Sequence, residues 1–235
     1  MPCAKMIELL VRHGCKDLTI LFVPKDCSEY PVSTGGFGDV YRSRLLDNRR
    51  VAIKTMRIFE SELPGKYSKW AAREIHTWSK CKHPNVVELM GLMMFRDSLA
   101  IVTEWVENGT LPDYLRKNPA TDRCRLSTLI CDGLVYLHSN DIIHGDLKGD
   151  NILISLNGNP MLNDFGNASN QDSSLYFSQT TTGTKYSTRW AAPEILEETT
   201  PLTRKSDVYS LGMTILEVFT GNVPYPNIKK DIAVM

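Results

Sequence analysis

The sequence lacks long apolar runs, closely spaced cysteine pairs and an excess of charge of one sign. No stretch reaches the roughly 18 uncharged apolar residues that a spanning helix needs, and the apolar run from Met6 to Val11 is interrupted by Glu8, so neither a membrane span nor a signal peptide is expected. Basic and acidic residues number 27 each, which leaves no basic field to attract nucleic acid. The six cysteines are scattered, which is typical of reduced thiols in a cytoplasmic protein.

The chain has the composition of an ordinary globular protein. Hydrophobic residues make up 42% and charged residues 23% of its 235 positions, which is enough to bury a core as one or two domains. Residues 1–29 carry weak signals, and we treat them as a lead-in of unknown role. Strand-like patterns dominate residues 30–103 apart from one helical stretch at 68–80, and helical spacing dominates from residue 111 onward. Two helices are expected to bury apolar stripes, and Gly221 is expected to end the second of them; the stripes are Leu126, Ile130, Leu134 and Leu137 in the first and Val208, Leu211, Ile215 and Phe219 in the second. This order predicts an α+β fold with a strand-rich first lobe and a helical second lobe.

A glycine-rich stretch, Thr34 to Tyr41, lies between two strand-like runs. Gly35 and Gly38 have no Cβ, so their backbone N–H groups could approach a phosphate closely. Glycine-rich hairpin turns are common, however, and this stretch alone leaves both interpretations open.

A short strand pattern, Val51-Ala52-Ile53-Lys54, ends sixteen residues after Gly38. Alternate side chains of a strand share a face, so Ala52 and Lys54 point together while Val51 and Ile53 point into the core. A small residue beside a cation suits a flat ring next to a phosphate. The alternative is a half-buried strand that carries a surface lysine.

The helical stretch at 68–80 carries a carboxylate at the border of its apolar stripe. Ala71, Ile75 and Trp78 form the stripe, and Glu74 at its edge is expected to face inward. An inward carboxylate needs a cation, for which Lys54 is the natural candidate, although most helix glutamates lie at the surface.

The strongest signal is a polar loop, His144 to Asn151, between apolar segments. Phosphoryl transfer needs a carboxylate for the attacking hydroxyl, a cation for the moving phosphate and hard oxygen ligands for Mg²⁺. The loop and the Asp-Phe-Gly that follows it supply all of these from Asp146, Lys148, Asn151 and Asp164. His144 adjoins an apolar pair, so a packed, hydrogen-bonded histidine is expected rather than a general base.

In their order and spacing, these motifs resemble those of the eukaryotic protein kinase family. The set comprises Gly-Gly-Phe-Gly-x-Val, Val-Ala-Ile-Lys, Glu74, His-x-Asp-Leu-Lys-x-x-Asn, Asp-Phe-Gly and Ala192-Pro193-Glu194. The resemblance covers roughly residues 30–235 and implies the two-lobed protein kinase fold, with a strand-rich N-lobe at about 30–105 and a helical C-lobe at about 106–235. It also implies ATP and Mg²⁺ as cofactors and a protein as substrate, and it leaves the oligomeric state open.

The resemblance assigns nucleotide-binding roles to matching positions. It implies that adenine would lie against Val32, Val40, Ala52 and Leu153, below a loop that contains Ser33, Gly35 and Gly38. The backbones of Glu104 and Val106 would bond the edge of the ring, and Thr103 would guard the pocket behind it. Lys54, held by Glu74, would bind the α- and β-phosphates.

The resemblance also assigns the residues of the transfer step. Asp146 would accept the proton of the substrate hydroxyl and Lys148 would steady the γ-phosphate, while Asn151 and Asp164 would bind Mg²⁺. Asp207 would brace the loop. Lys148 in this loop is typical of serine/threonine kinases, and the stretch Arg189 to Glu194 resembles the tyrosine kinase-like group, which is mostly serine/threonine-specific.

Three departures from the family pattern affect these expectations. Ser33 replaces the first loop glycine, and Gly145 replaces the arginine that pairs with an activation-segment phosphate. The chain stops about ten residues after Tyr225, whereas the family continues through further helices, so a C-lobe without its last helices is expected. An alternative to the enzyme is therefore a catalytically silent, pseudokinase-like binding module or an inactive fragment.

Overall fold

The computed structural model describes residues 3–35, 38–55, 75–164, 169–170, 187–197 and 199–229. The chain divides into two compact units. Unit 1 contains residues 1–82 and 87–106, and unit 2 contains residues 83–86 and 107–235. No helix within the described ranges is both long enough and apolar enough to cross a lipid bilayer.

Unit 1 is built on an antiparallel sheet with the strand order β1-β2-β3-β5-β4. Its strands are β1 (Ser33–Gly35), β2 (Gly38–Arg44), β3 (Arg50–Thr55), β4 (Leu89–Phe95) and β5 (Ser98–Glu104). Its helices are α1 (Cys3–Arg12) and the described part of α2 (75–79), with single 3₁₀ turns at Thr19–Leu21 and Pro24–Asp26. The predicted strand-rich lobe is therefore present, with α2 inside the predicted helical stretch and α1 as an additional helix.

One face of this sheet carries the core of unit 1. The register pairs Tyr41 with Ile53 and Ile53 with Val102, so these side chains share that face. The same cluster contains Leu18, Leu45, Val51, Met93, Phe95 and Ala100. The alternation expected for β3 is confirmed, since Val51 and Ile53 are fully buried.

Residues 3–29 are packed onto the sheet and belong to unit 1. Helix α1 lies against β4 and β5 and buries Met6, Ile7 and Leu10. The chain then runs beside β4 and crosses the core, where Leu21, Phe22 and Cys27 contact the buried cluster. The lead-in therefore forms part of the same hydrophobic core as the strands.

Unit 2 is mainly helical. Its helices are α3 (Leu111–Lys117), α4 (Arg123–Ser139), α5 (Pro193–Leu196) and α6 (Arg204–Thr220). Short strands are β6 (Ile142–Ile143), β7 (Ile152–Ile154), β8 (Pro160–Leu162) and β9 (Ser169–Asn170), with a 3₁₀ turn at Gly149–Asn151. Strand β6 pairs with β9, and β7 pairs with β8. The residues expected to line one side of a helix, Leu126, Ile130, Leu134 and Leu137, are all buried along α4.

Helix α6 is bounded as its sequence indicates but buries an unusual face. Thr203 and Ser206 form a capping box at its start, and Gly221 ends it in the left-handed conformation at φ 69°. The buried positions are mostly polar: Ser206, Asp207, Thr214, Glu217 and Val218. Part of the apolar stripe points outward, and Phe219 is 50% exposed. The helix therefore presents its polar side to the loop that precedes β7.

Candidate active site

A buried carboxylate on α6 fixes the start of the His144–Asn151 loop. Oδ2 of Asp207 accepts the backbone N–H of His144 at 2.8 Å, and Oδ1 accepts the N–H of Gly145 at 2.9 Å. The ring of His138 on α4 makes a third contact with Oδ2, at 2.8 Å. Gly145 adopts φ 79°, a left-handed conformation that disfavours larger L residues. Asp207 thus braces the loop, in agreement with the sequence expectation.

His144 is a packed histidine with both ring nitrogens engaged. Its Nδ1 accepts the backbone N–H of Asp146 at 3.3 Å, and its Nε2 lies 3.0 Å from the carbonyl oxygen of Asn163. These partners require a proton on Nε2 and none on Nδ1. Because the ring is fully buried, it positions Asp146 rather than meeting a substrate, which confirms the sequence expectation.

Asp146, Lys148 and Asn151 form a compact polar group. Oδ2 of Asp146 lies 3.0 Å from Nζ of Lys148 and accepts Nδ2–H of Asn151 at 3.0 Å. Nδ2 of Asn151 also donates to the backbone carbonyl of Asp146 at 2.7 Å. Burial alone raises the pKa of Asp146, but the Lys148 charge and hydrogen bonds from Lys148 and Ser187 outweigh it, so the pKa lies below its ordinary value. The carboxylate is therefore ionised and held in place at neutral pH.

Ser187 is a member of this group that the sequence reasoning missed. Nζ of Lys148 donates to Oγ of Ser187 at 2.6 Å. The residue opens the Thr188 to Glu194 stretch, and in the sequence it is one of many hydroxyl residues between Asp164 and Ala192. Its position five residues before the Ala-Pro-Glu motif is the signal that could have identified it.

Asp164 follows β8 in a strained conformation. Its φ is 62°, which is uncommon for a residue with a side chain and is found most often where a function requires it. The backbone N–H of Asn163, one residue earlier, donates to the carbonyl of Asn151 at 2.9 Å. This bond links the backbone next to Asp164 to Asn151, so the two expected metal ligands lie on connected segments.

A second buried carboxylate, Glu217, connects the loop to the Ala-Pro-Glu segment. Its Oε2 accepts the backbone N–H of Gly149 at 3.0 Å and the indole N–H of Trp190 at 3.0 Å. A Cβ on Gly149 would lie 2.5 Å from Oε1, so this approach requires glycine. Burial raises the pKa of Glu217 above its ordinary value, against these two hydrogen bonds. Sequence patterns did not single out Glu217.

In unit 1, several expected nucleotide-binding residues share the sheet face opposite the core. The register places Val40 beside Lys54 and Ala52 beside Thr103, and paired residues of antiparallel strands point to the same side. Ala52 and Lys54 are half-buried. The expectation that these two side chains point together is confirmed.

The remaining expected residues of unit 1 lie at the ends of the strands. Val32 is exposed and donates its N–H to Val40 at 2.8 Å, and Ser33 is exposed in β1. At the far end of β5, Glu104 is exposed and Val106 is half-buried. In unit 2, Leu153 is half-buried in β7 and pairs with Met161.

The two expected phosphate-loop glycines differ in their surroundings. A Cβ on Gly35 would meet nothing within 4 Å, whereas a Cβ on Gly38 would lie 1.7 Å from the backbone oxygen of Thr55. Gly38 also adopts φ 149°. The packing of β2 against β3 therefore requires Gly38, while the space around Gly35 is open to a ligand.

Some sequence expectations fall outside the described residues. These are Glu74, the phenylalanine and glycine of the Asp-Phe-Gly motif, and the hydroxyl-rich stretch at 171–186. The expected pairing of Lys54 with Glu74 stays a prediction.

Known proteins are similar to this chain over most of its length. The family described as the protein kinase domain matches residues 29–235. The serine/threonine-protein kinase STY46 of Arabidopsis thaliana is 35% identical over 83% of this chain and 33% of that protein. A probable serine/threonine-protein kinase of Dictyostelium discoideum is 36% identical over 83% of this chain and 39% of that protein. Calmodulin-binding receptor-like cytoplasmic kinase 1 of Arabidopsis thaliana is 35% identical over 84% of this chain and 43% of that protein.

The chain thus spans less than half the length of each of these relatives. The family match nevertheless covers most of the chain, including most of unit 1, all of unit 2 and the Asp146 loop. The chain belongs to the protein kinase domain family.

Proposed function

We propose that this chain is the catalytic domain of an ATP-dependent protein serine/threonine kinase. The observation that carries the proposal is the group formed by Asp146, Lys148 and Asn151, in which the Asp146 carboxylate lies 3.0 Å from both the Lys148 ammonium group and the Asn151 amide nitrogen. The buried Asp207 holds the start of the same loop. A fixed polar group of this kind lowers the barrier by orientation and charge, which is how phosphoryl transfer is catalysed.

Each residue of the group has a role in the transfer step. Asp146, ionised at neutral pH, orients the substrate hydroxyl and receives its proton. The hydroxyl oxygen forms a bond to the γ-phosphorus while the bond from that phosphorus to the β–γ bridging oxygen breaks, and ADP leaves. Lys148 neutralises the negative charge on the moving phosphoryl group.

The donor set fits Mg²⁺. Because Nδ2 of Asn151 donates to Asp146, its Oδ1 is directed away from Asp146, and Asp164 offers a carboxylate. Amide and carboxylate oxygens are the hard ligands that Mg²⁺ prefers. When bound, the metal would supply charge neutralisation on the phosphates, and Asn151 and Asp164 would hold it.

The nucleotide-binding assignments follow the family motifs position by position. Lys54 would bind the α- and β-phosphates, and the carboxylate of Glu74 would hold Lys54. Adenine would be bound by apolar contacts, by two backbone groups and beside a small side chain, and the residues proposed for this are Val32, Val40, Ala52, Leu153, Glu104, Val106 and Thr103. Ser33, Gly35 and Gly38 would cover the phosphates.

Serine and threonine are the proposed acceptors. Lys148 donates to Ser187 at 2.6 Å, so the segment that leads to the Ala-Pro-Glu motif is tied directly to the loop that carries Asp146. The acceptor assignment is supported by Lys148 itself, which is typical of serine/threonine kinases at this position, and by relatives that are named serine/threonine-protein kinases. We place the protein in the cytoplasm, since its six cysteines are all unpaired.

The test uses the full chain with γ-labelled ATP, Mg²⁺ and a generic protein substrate. Asp146→Asn should lower the rate about 10²–10⁴-fold, the usual scale for a positioned acid or base. Asp132→Asn, which changes an exposed carboxylate on α4, is the matched control and should leave the rate unchanged. Phosphoamino-acid analysis should give phosphoserine and phosphothreonine. If the unaltered chain transfers phosphate no faster than Asp146→Asn, a silent binding module is favoured. Predominant phosphotyrosine would contradict the acceptor assignment.

A further inference from the structure

Residues 3–19, here called the N-terminal segment, precede the part of the chain that matches the family, which begins at residue 29. Within the segment, helix α1 has one buried side and one exposed side. Leu10 is 1% exposed, while Leu9 is 40% exposed. The buried side packs on β4 and β5, so the helix is held by the same kind of contact as an internal core helix.

The segment also closes the edge of the sheet at β4. Leu92 donates its N–H to the carbonyl of Lys16 at 2.8 Å, and Leu18 donates its N–H to the carbonyl of Leu92 at 2.8 Å. The N–H of Met94 donates to Oγ1 of Thr19 at 3.0 Å. Residues 16–19 therefore satisfy the outer hydrogen-bonding groups of β4 at Leu92 and the outer N–H of Met94.

Gly91 makes this approach possible. A Cβ at this position would lie 2.5 Å from the carbonyl oxygen of Lys16 and 2.9 Å from the side chain of Leu18. The sequence of β4 is thus adapted to the segment that lies on it.

The segment contacts α2 as well as the sheet. The rings of His13 and His76 meet edge to face with their centres 5.5 Å apart. The side chain of Ser79, one turn further along α2, lies close enough to Cys15 to lower the pKa of its thiol, against the larger effect of burial. Trp78 of α2 makes a further contact within unit 1, since its indole N–H donates to the carbonyl of Val87 at 2.7 Å.

We propose that the N-terminal segment positions α2, and thereby supports nucleotide binding in unit 1. The inference rests on the proposed function, since position 74, one residue before the described part of α2, is the expected partner of Lys54. A helix that is held at two successive turns by a segment fixed to the sheet keeps its orientation relative to β3. Loosening α1 releases α2 before it disrupts β2 and β3, because α1 packs on β4 and β5 while β2 and β3 lie farther from the β4 edge.

The test compares Leu10→Ala with Leu9→Ala in the full chain. The two variants make the same chemical change on the buried and exposed sides of α1, and only the buried one leaves a cavity. Hydrogen exchange is followed at the amides of Lys80 and Cys81, which bond back to the carbonyls of α2. Amides of β2 and β3 serve as the internal reference.

We expect Leu10→Ala to accelerate exchange at Lys80 and Cys81 by about tenfold or more, with the β2 and β3 amides within about twofold. Leu9→Ala should change neither set. Faster exchange confined to α1 would overturn the proposal, and so would equal acceleration in α2 and the reference strands. If Leu10→Ala does not fold, the test uses Gly91→Ala instead. The added Cβ displaces the segment by contact with the carbonyl oxygen of Lys16.

A fluorescent ATP analogue with Mg²⁺ gives the second readout. Its Kd should rise about fivefold or more in Leu10→Ala, in step with exchange in α2. An unchanged Kd with faster α2 exchange would refute the link to nucleotide binding. If the unaltered chain does not bind the analogue, the proposed function fails, while hydrogen exchange still decides whether the segment positions α2.

Discussion

Replacing Asp207 with asparagine tests how the catalytic loop is held. The carboxylate is 1% exposed and uses both oxygens, with Oδ2 on His144 and His138 and Oδ1 on Gly145. Asparagine keeps the shape but has one oxygen. Whichever way the amide turns, its NH₂ group faces the backbone N–H of either His144 or Gly145, and that N–H loses its acceptor.

The cost follows from these contacts. One hydrogen bond to a charged group is lost, at about 1.5–3 kcal/mol, and one buried N–H is left without a partner, at about 1–3 kcal/mol. The sum, about 2.5–6 kcal/mol, is a large part of the 5–15 kcal/mol that is typical of whole proteins, as an order of magnitude. In a chain of this size each kcal/mol lowers Tm by about 2–4 °C, so we expect a fall of about 5–24 °C.

Thermal melts and hydrogen exchange at Gly145 measure this directly. The Gly145 amide should exchange at least about 60-fold faster in Asp207→Asn, because each 1.4 kcal/mol corresponds to about tenfold. Asp132→Asn on the exposed side of α4 is the control and should match the unaltered chain. A melt within about 2 °C of that chain, with unchanged exchange at Gly145, would refute the view that Asp207 braces the loop.

Three further predictions concern other positions. Lys54→Met and Asp164→Asn should each abolish phosphoryl transfer without lowering Tm by more than about 4 °C, and radiolabel transfer above background in either variant would contradict the site. Glu217→Gln can keep both hydrogen bonds through its amide oxygen. Burial raises the pKa of Glu217 above 4.5, so the unaltered chain should lose stability as pH rises through that pKa, while the variant does not. Urea unfolding at about pH 4 and pH 7 should therefore show that the variant gains stability relative to the unaltered chain as pH rises. A difference in unfolding free energy that is the same at both pH values would contradict this. Phe219→Ser should reduce light scattering on heating, because a half-exposed aromatic ring favours association, and unchanged scattering would assign aggregation to another surface.

Local sequence patterns predicted the parts of the fold that local physics determines. The alternation in β3 follows from the pleat, and Gly221 ends α6 because a helix commonly ends in a left-handed residue. The loop that carries Asp146 was identified since chemistry restricts which residue types can serve there. His144 was assigned as structural from its apolar neighbours alone.

Long-range contacts account for what the sequence did not predict. The docking of residues 3–19 depends on Gly91, more than seventy positions away, and an isolated glycine in a strand has several explanations. Helix α6 was expected to bury aliphatic side chains, yet its buried side carries the Asp207 and Glu217 carboxylates. Periodicity detects an apolar stripe but cannot show that a neighbouring loop offers unpaired N–H groups.

The position of the N-terminal segment has a consequence for the growing chain on the ribosome. Thr19 and its partner Met94 are separated by 75 residues, and at the usual speeds of synthesis of about 5–20 residues per second the partner strand is completed roughly 4–15 s later. During that interval the apolar side of α1 has no surface to pack on. Nascent chains of this protein should therefore depend on chaperone protection until β4 emerges, and slowing translation before residue 94 should lower the yield of folded protein.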